Sequence, residues 1–165
     1  MGGSFPLFFE DLSPCMYVAS SPAEGEKLRA VGWLAWGHPY TQRQPQLSEL
    51  TCFGQLLRLL VHPWEPKWFM GSHECEFCLG ENVQDTIEHD GLLVHFGASN
   101  LYVPANGCIY VAPSMIAHYV DRHSYEPPAV FWEAVMNCPE MGSETYREAL
   151  IANGPLNEDW VRLVR

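Results

Sequence analysis

A histidine and two cysteines stand within six consecutive residues, at His73, Cys75 and Cys78. Two cysteines separated by two residues can point both sulfurs at one ion in a tight turn, and a histidine two positions earlier can reach the same ion. Zinc prefers sulfur and nitrogen ligands in tetrahedral geometry. The segment is therefore predicted to fold around a zinc ion, and a single ligand from a distant part of the chain would complete the site.

The fourth zinc ligand is predicted to be His118. We expect a helix from Ser114 to about His123, and side chains five positions apart leave a helix on different sides. His123 shares a helix face with three apolar residues, which favours a packed role, whereas His118 lies off that face and can reach a neighbouring element. His123 and Cys108 remain alternatives for the fourth position.

Two other interpretations of the cysteine pair are open. A redox-active dithiol needs a depressed thiol pKa, but Glu74 and Glu76 flank Cys75 and their negative charges disfavour a thiolate. The pair could also consist of two buried cysteines with no common partner. Zinc is favoured over both because three ligand-type residues are clustered so closely.

The charge balance is strongly negative, with 20 acids against 9 bases and a formal net charge of -11. No Lys or Arg occurs between Lys67 and Arg122. Nucleic-acid affinity depends on Lys and Arg contacts to phosphate, so no nucleic-acid binding is predicted. An acidic face serves solubility, or it docks a basic protein partner.

No membrane span or export signal is predicted. The apolar stretches are far shorter than the roughly 20 residues that a bilayer requires. The first residues carry no basic region followed by an apolar core, as a signal peptide would. We therefore expect a cytoplasmic protein whose six cysteines are reduced thiols or metal ligands.

Apolar periodicity predicts a helix followed by a small antiparallel sheet. Residues 47–61 repeat apolar side chains at helical spacing, and Pro63 ends the pattern. The sheet is predicted around residues 91–112, where Asn106-Gly107 is a strong hairpin signal. Its predicted strands are 92–96, 101–103 and 108–111.

The C-terminal part of the chain predicts helices with recognisable start signals. The starts are Ser114 for a helix to about His123, Pro128 for one to Asn137, Ser143 for one ended by Gly154, and Asn157 for a short last helix. A further strand is predicted over residues 28–36. The chain is thus expected to be a single α+β domain over residues 1–165, with the sheet packed by the 47–61 helix and the C-terminal helices.

Several segments resemble an uncharacterised family of small bacterial proteins. They are Gly71–Cys78, Asn100–Pro104, Tyr110–Val120, Pro127-Pro128 and Cys138–Ser143. The resemblance implies a bacterial source and no particular activity. The similar segments contain His73, Cys75, Cys78 and His118, so it also implies that the metal site is shared.

The chain lacks the usual catalytic motifs. It has no H-E-x-x-H, G-x-S-x-G or phosphate-binding glycine loop. A zinc deaminase needs H-x-E and a separate P-C-x-x-C, which this chain does not contain. We therefore predict a zinc-stabilised binding protein, one form of which is an acidic inhibitor or immunity-type protein covering a basic partner. The alternative is a zinc-dependent enzyme acting on a small molecule, which would need an open metal position.

Overall fold

The structure is a computed structural model that describes residues 8–43, 50–66, 74–78 and 86–165. Its strands are β1 (Leu28–Ala30), β2 (Thr86–His89), β3 (Leu92–His95), β4 (Asn100–Pro104) and β5 (Ile109–Pro113). Its α-helices are α1 (Pro22–Lys27), α2 (Leu50–Val61), α3 (Ile116–Arg122), α4 (Ala129–Asn137), α5 (Glu144–Asn153) and α6 (Glu158–Leu163). A short 3-10 helix covers Glu76–Cys78. The predicted α+β class is confirmed.

The main sheet has the order β1-β5-β4, so β5 lies in the centre. Strands β4 and β5 form the predicted antiparallel hairpin, and every residue of both strands is buried. The sheet also contains a strand from outside the predicted 91–112 region, because β1 pairs with β5 in parallel, with Leu28 opposite Ile109. Strand β1 is also shorter than the predicted 28–36 segment, since Gly32 adopts a φ of +79° that interrupts the extended chain.

A second sheet consists of β2 and β3, joined through Asp90 and Gly91. Both turn residues have positive φ, 48° and 79°, as a two-residue hairpin of the primed type requires. The predicted sheet region began at residue 91 and omitted β2, although Asp-Gly is itself a hairpin signal. Helix α2 packs against β3.

The predicted helices are present, with one correction to a cap. Ser143 Oγ accepts a hydrogen bond from the Tyr146 amide at 3.1 Å and caps α5. Asn157 Oδ1 accepts from the Trp160 amide at 2.7 Å and caps α6. Ser114 does not cap α3: its hydroxyl is buried and accepts from the Gly97 amide instead, at 2.8 Å. This bond satisfies a buried donor in the turn between β3 and β4.

Helix α2 is seen from Leu50 onward, and residues 47–49 of the predicted helix lie outside the described residues. It ends at Val61, two residues before Pro63, as predicted. Within the described ranges, no helix combines the length and apolar character that crossing a membrane would require.

Helix α3 lies in the middle of the core. Its first five residues, Ile116 to Val120, are all buried. A surface helix would bury only one stripe, so α3 has buried contacts on all its sides. It directly follows the central strand β5, and this short connection fixes the position of α3 relative to the sheet.

Candidate metal centre

Four side chains that can bind a metal meet between α3 and residues 74–78, which we call the cysteine segment. Cys78 Sγ lies 3.3 Å from His118 Nε2 and 3.4 Å from His123 Nε2. Cys75 Sγ lies 3.3 Å from His123 Nε2. The four ligand atoms are all within 4.8 Å of one another. We call these four residues the Cys2His2 cluster.

The spacing of the Cys2His2 cluster matches the geometry of one tetrahedral zinc ion. Zinc binds sulfur at about 2.3 Å and imidazole nitrogen at about 2.0–2.1 Å, which puts neighbouring sulfur and nitrogen ligands about 3.5 Å apart. The sulfur–nitrogen distances in the cluster are 3.3, 3.3 and 3.4 Å. Two thiols and two imidazoles are also a donor set that suits zinc rather than magnesium or calcium.

Local backbone geometry places the two cysteines together. Cys75 directly precedes the 3-10 helix, and Cys78 is its last residue. A 3-10 helix has about three residues per turn, so side chains three positions apart lie above one another. The two sulfurs therefore face the same side of the cysteine segment.

The two histidines come from the first half of α3 and from the residue that follows its last turn. His118 is the third residue of the helix and is 4% exposed. His123 is the residue that follows the last helical position, with φ −119° and ψ 13°. Its amide still donates to the Tyr119 carbonyl at 3.0 Å, which keeps the end of α3 closed.

The structure corrects the expected directions of these histidines. A regular helix would separate positions 118 and 123 by about 140° around its axis. The φ of −119° at His123 departs from the helical value of about −63° and turns its side chain toward Cys75. His123 therefore lies in the cluster and does not have the purely packed role expected for it.

Of the other predicted ligand candidates, Cys108 is not part of the cluster. Cys108 lies in the β4–β5 turn, where its carbonyl accepts from the Ala105 amide at 2.9 Å. His73, predicted as a ligand, lies outside the described residues. The structure thus brings together Cys75, Cys78 and His118 from the predicted set and adds His123.

Aromatic rings surround the cluster on the side of the cysteine segment. Phe77 stands between the two cysteines, and its ring centroid lies 5.4 Å from that of His123 and 5.9 Å from that of Tyr119. Tyr40 and Trp36 contact the same ring from the 33–43 loop, at 5.5 and 6.3 Å. Phe77 therefore packs the cysteine segment onto the body of the protein.

Two further contacts hold the histidines. The ring of Phe96 lies 5.8 Å from that of His118. The Tyr40 hydroxyl donates a hydrogen bond to the His123 carbonyl at 3.0 Å. These contacts restrain the His118 ring and the backbone of His123, which lowers the cost of assembling a metal site.

The surroundings favour neutral imidazoles. Burial lowers the pKa of His118, and the nearby His123 and Arg122 lower it further. Burial, followed by the charge of Arg122, also lowers the pKa of His123. Neutral imidazole is the form that binds metal ions, so both side chains are ready to bind at neutral pH.

The cysteines need a cation to ionise. Burial raises the pKa of the Cys75 thiol to about 11, and its proximity to Cys78 contributes. A thiol with that pKa is a poor nucleophile and a poor redox group at neutral pH. A divalent metal ion would remove the proton, because coordinated thiols are deprotonated. The electrostatics therefore suit a metal ligand better than a redox dithiol.

Fold and cluster together define an α+β protein in which four side chains that could hold a metal ion lie close together. The family model that matches this chain is described as "Domain of unknown function (DUF7919)" and covers residues 7–136. The chain therefore belongs to that family, and the predicted membership of an uncharacterised family is confirmed at that level. No curated protein and no solved structure matches the chain.

Proposed function

We propose that this protein is a zinc-binding protein in which the Cys2His2 cluster holds one structural zinc ion. The observation that carries the proposal is the meeting of four protein ligand atoms within 4.8 Å. Four protein ligands complete a tetrahedral shell and leave no position for water or substrate. Closed shells of this kind are typical of structural zinc, whereas catalytic zinc keeps one position open.

The role of the zinc is to fix the cysteine segment to α3. The two elements are far apart in sequence, and the cluster joins them through side chains. Zinc adds its binding free energy to folding because the ligands are assembled only in the folded chain. In such a protein the metal ion stabilises the fold and takes no part in chemistry. The function is then performed by the protein surface.

That surface function is proposed to be binding of a basic protein, in the manner of an acidic inhibitor or immunity-type protein. The net charge of -11 supports this proposal, because a strongly acidic surface attracts basic partners and repels nucleic acid. Reduced cysteine ligands fit a cytoplasmic location. A zinc-dependent enzyme acting on a small molecule is less well supported, since the cluster supplies all four ligands.

Elemental analysis tests the metal. Protein purified without added metal is expected to contain about one zinc per chain, and a strong chelator is expected to lower its melting temperature. The double variant Cys75→Ser and Cys78→Ser should lose the zinc, while Cys108→Ser, outside the cluster, should keep it. A stably folded preparation free of transition metals would overturn the proposal.

Cobalt substitution distinguishes the closed site from the catalytic alternative. Tetrahedral Co²⁺ with two thiolate and two imidazole ligands absorbs strongly in the visible range, and the spectrum reports changes in coordination. In a closed site, added azide or cyanide should leave the spectrum unchanged. A spectral shift on adding azide would reveal an exchangeable position and favour the enzyme.

The proposed partner is tested by co-expression with the protein encoded by the neighbouring gene, if that protein is basic. A complex that elutes as one species at low salt and dissociates as salt is raised would support an electrostatic interface. A basic neighbour that elutes separately at low salt would contradict the immunity-type form of the proposal.

A further inference from the structure

A cleft of about 350 Å³ lies between residues 8–11 and residues 39–41. Aromatic rings of Phe8, Phe9 and Tyr40 contribute to its walls. The charged residues that line it, Glu10 and Asp11, are both acidic. The cleft thus combines aromatic faces with carboxylates, which is the combination that binds organic cations.

The aromatic walls are held in place by contacts outside the cleft. Phe8 stacks on His38 with ring centroids 3.8 Å apart and an interplanar angle of 9°. Phe9 meets Trp33 edge to face at 5.6 Å. Tyr40 is fixed through its hydroxyl, which donates to the His123 carbonyl. Rings that are already oriented lose little entropy when a ligand packs on them.

The carboxylate of Asp11 is also held before any ligand arrives. Its Oδ1 accepts from the Gly32 amide at 3.0 Å, and its Oδ2 accepts from the Tyr125 hydroxyl at 2.7 Å. Both donors are neutral. Across the described parts of the chain, no Lys or Arg forms an ion pair with Asp11 or Glu10. The negative charge at the cleft is therefore not neutralised within the described chain.

We propose that this cleft binds a planar cation, the guanidinium group of an arginine side chain on the basic partner. Guanidinium stacks on aromatic rings and hydrogen-bonds to carboxylates in its own plane, which a compact ammonium group does less well. Glu10 is exposed and supplies the carboxylate at the mouth of the cleft. The identity of the partner as a protein rests on the proposed function; the recognition of guanidinium by the cleft does not.

Tyr40 connects this cleft to the metal centre. Its ring lines the cleft and lies 5.5 Å from Phe77, and its hydroxyl bonds to His123. A cation stacked on Tyr40 would therefore lie next to the aromatic packing of the cysteine segment.

Titration of the zinc-loaded protein by amide NMR tests the inference. The probes are the N-acetyl amides of arginine, lysine and glutamine. The arginine probe is expected to shift amides of residues 8–11 and 39–41 saturably and to bind several-fold more tightly than the lysine probe, while the glutamine probe should not bind. Equal binding of the glutamine probe, equal binding of the lysine probe, or shifts spread over the whole chain would overturn the proposal.

Variants measured in the same titration identify the side chains that bind the arginine probe. Glu10→Gln should weaken arginine binding about two- to fivefold, whereas the exposed Glu26→Gln, with the same change of charge, should not. Tyr40→Leu should weaken it about two- to tenfold by removing the aromatic face, and Tyr40→Phe, which keeps the ring and loses only the bond to His123, should weaken it less. An unchanged affinity in both Glu10→Gln and Tyr40→Leu would contradict the assignment.

Zinc content is measured in every sample, so the two proposals fail separately. A protein that holds one zinc but ignores the arginine probe contradicts only the cleft. A protein without zinc that still binds the probe contradicts only the metal centre. An arginine-containing peptide that binds at least tenfold more tightly than the single amino-acid probe would assign the cation to a protein partner; equal affinities would indicate a free small-molecule cation in the same cleft.

Discussion

The imidazole rings of His118 and His123 lie with their centroids 5.0 Å apart and their planes at 71° to each other. Both Nε2 atoms point at Cys78 Sγ, at 3.3 and 3.4 Å. Helix α3 and the residue that follows it therefore present two nitrogen ligands as a preformed pair. The cysteine segment presents two sulfurs in the same way, so the site is assembled by bringing two pairs together.

Removal of either histidine is expected to weaken zinc binding severely. In His118→Ala and His123→Ala, three ligands remain, and the affinity should fall by more than the roughly 10–100-fold that loss of a supporting contact costs. Competition with a chromophoric chelator measures the change. His62→Ala and His89→Ala, which lie outside the cluster, should retain the affinity of the unmodified protein.

His123→Cys separates ligation from packing. A cysteine at this position can still supply a ligand to zinc, so the variant is expected to bind about one zinc while His123→Ala does not. If packing of the imidazole were the whole role of His123, the two variants would lose stability equally. Both would then also bind as much zinc as the unmodified protein.

Phe77→Ala is expected to destabilise the folded protein by about 1–3 kcal/mol and to weaken zinc binding. A fully buried phenylalanine costs about 3–5 kcal/mol on truncation, and Phe77 is only half-buried. Both the loss of stability and the weaker zinc binding are expected because the alanine variant loses the ring contacts of Phe77 with Tyr40, Tyr119 and His123. Urea unfolding with and without chelator measures both effects; Phe77→Leu, which keeps much of the volume, should lose less than half as much stability.

The sequence was sufficient to predict the parts of the fold that local chemistry decides. Asn106-Gly107 predicted the β4–β5 hairpin because few other residues accept the required turn conformation. Ser143 and Asn157 predicted helix starts because their side chains satisfy otherwise unpaired amides. The parallel pairing of β1 with β5 could not be predicted, since it joins Leu28 to Ile109 and no local signal reports such a distant partner.

The local half of the metal centre could be predicted from the sequence, and the distant half could not. The spacing of Cys75 and Cys78 is local and was sufficient to indicate a metal. The second half of the site depends on how α3 ends, and helical periodicity fails at that point because His123 has left the helical φ. The choice of His118 over His123 rested on that periodicity, and the structure brings both to the cluster.

Gly32→Ala is expected to destabilise the protein by about 2–4 kcal/mol. Gly32 has φ +79°, which costs roughly 1–2 kcal/mol for an L-residue. An added Cβ would also lie 2.8 Å from Ile116 Cγ1, so the buried Ile116 side chain would have to shift, at about 1–3 kcal/mol for overpacking. Thermal or urea unfolding measures the sum.

Gly37→Ala is the matched control for Gly32→Ala. Gly37 has a similar φ of +88°, but an added Cβ would meet no atom of the described residues within 4 Å. Only the backbone cost of roughly 1–2 kcal/mol is expected. Equal losses in the two variants would show that the contact with Ile116 contributes nothing.

Asp11→Asn is expected to change how stability depends on pH. Burial is the largest effect on the Asp11 carboxyl and raises its pKa above the ordinary 3.8, although its hydrogen bonds with Tyr125 and Gly32 act in the opposite direction. The folded protein therefore takes up a proton at Asp11 before the unfolded chain does. Its contribution to stability is fully present below pH 3.8 and is lost as pH rises through the raised folded value.

The measurement is urea unfolding of the unmodified protein and of Asp11→Asn across that pH window. The free energy of unfolding of the unmodified protein should rise, relative to the variant, as pH falls from neutral toward 3.8. Taking the difference removes the acid sensitivity of the histidines and cysteines, which both proteins share. A difference that shrinks or stays constant on acidification would contradict a raised Asp11 pKa.

The two pairs of ligands are separated by 40 residues between Cys78 and His118 and by 48 between Cys75 and His123. Both β-hairpins lie inside this loop. In an unfolded chain, bringing the pairs onto one ion would cost about 4 kcal/mol of loop-closure entropy. The folded hairpins have already closed the loop, so a zinc ion would bind the native chain far more tightly than the unfolded one. Free zinc concentration would then set the unfolding equilibrium directly, and cellular zinc supply would control how much of this protein is folded.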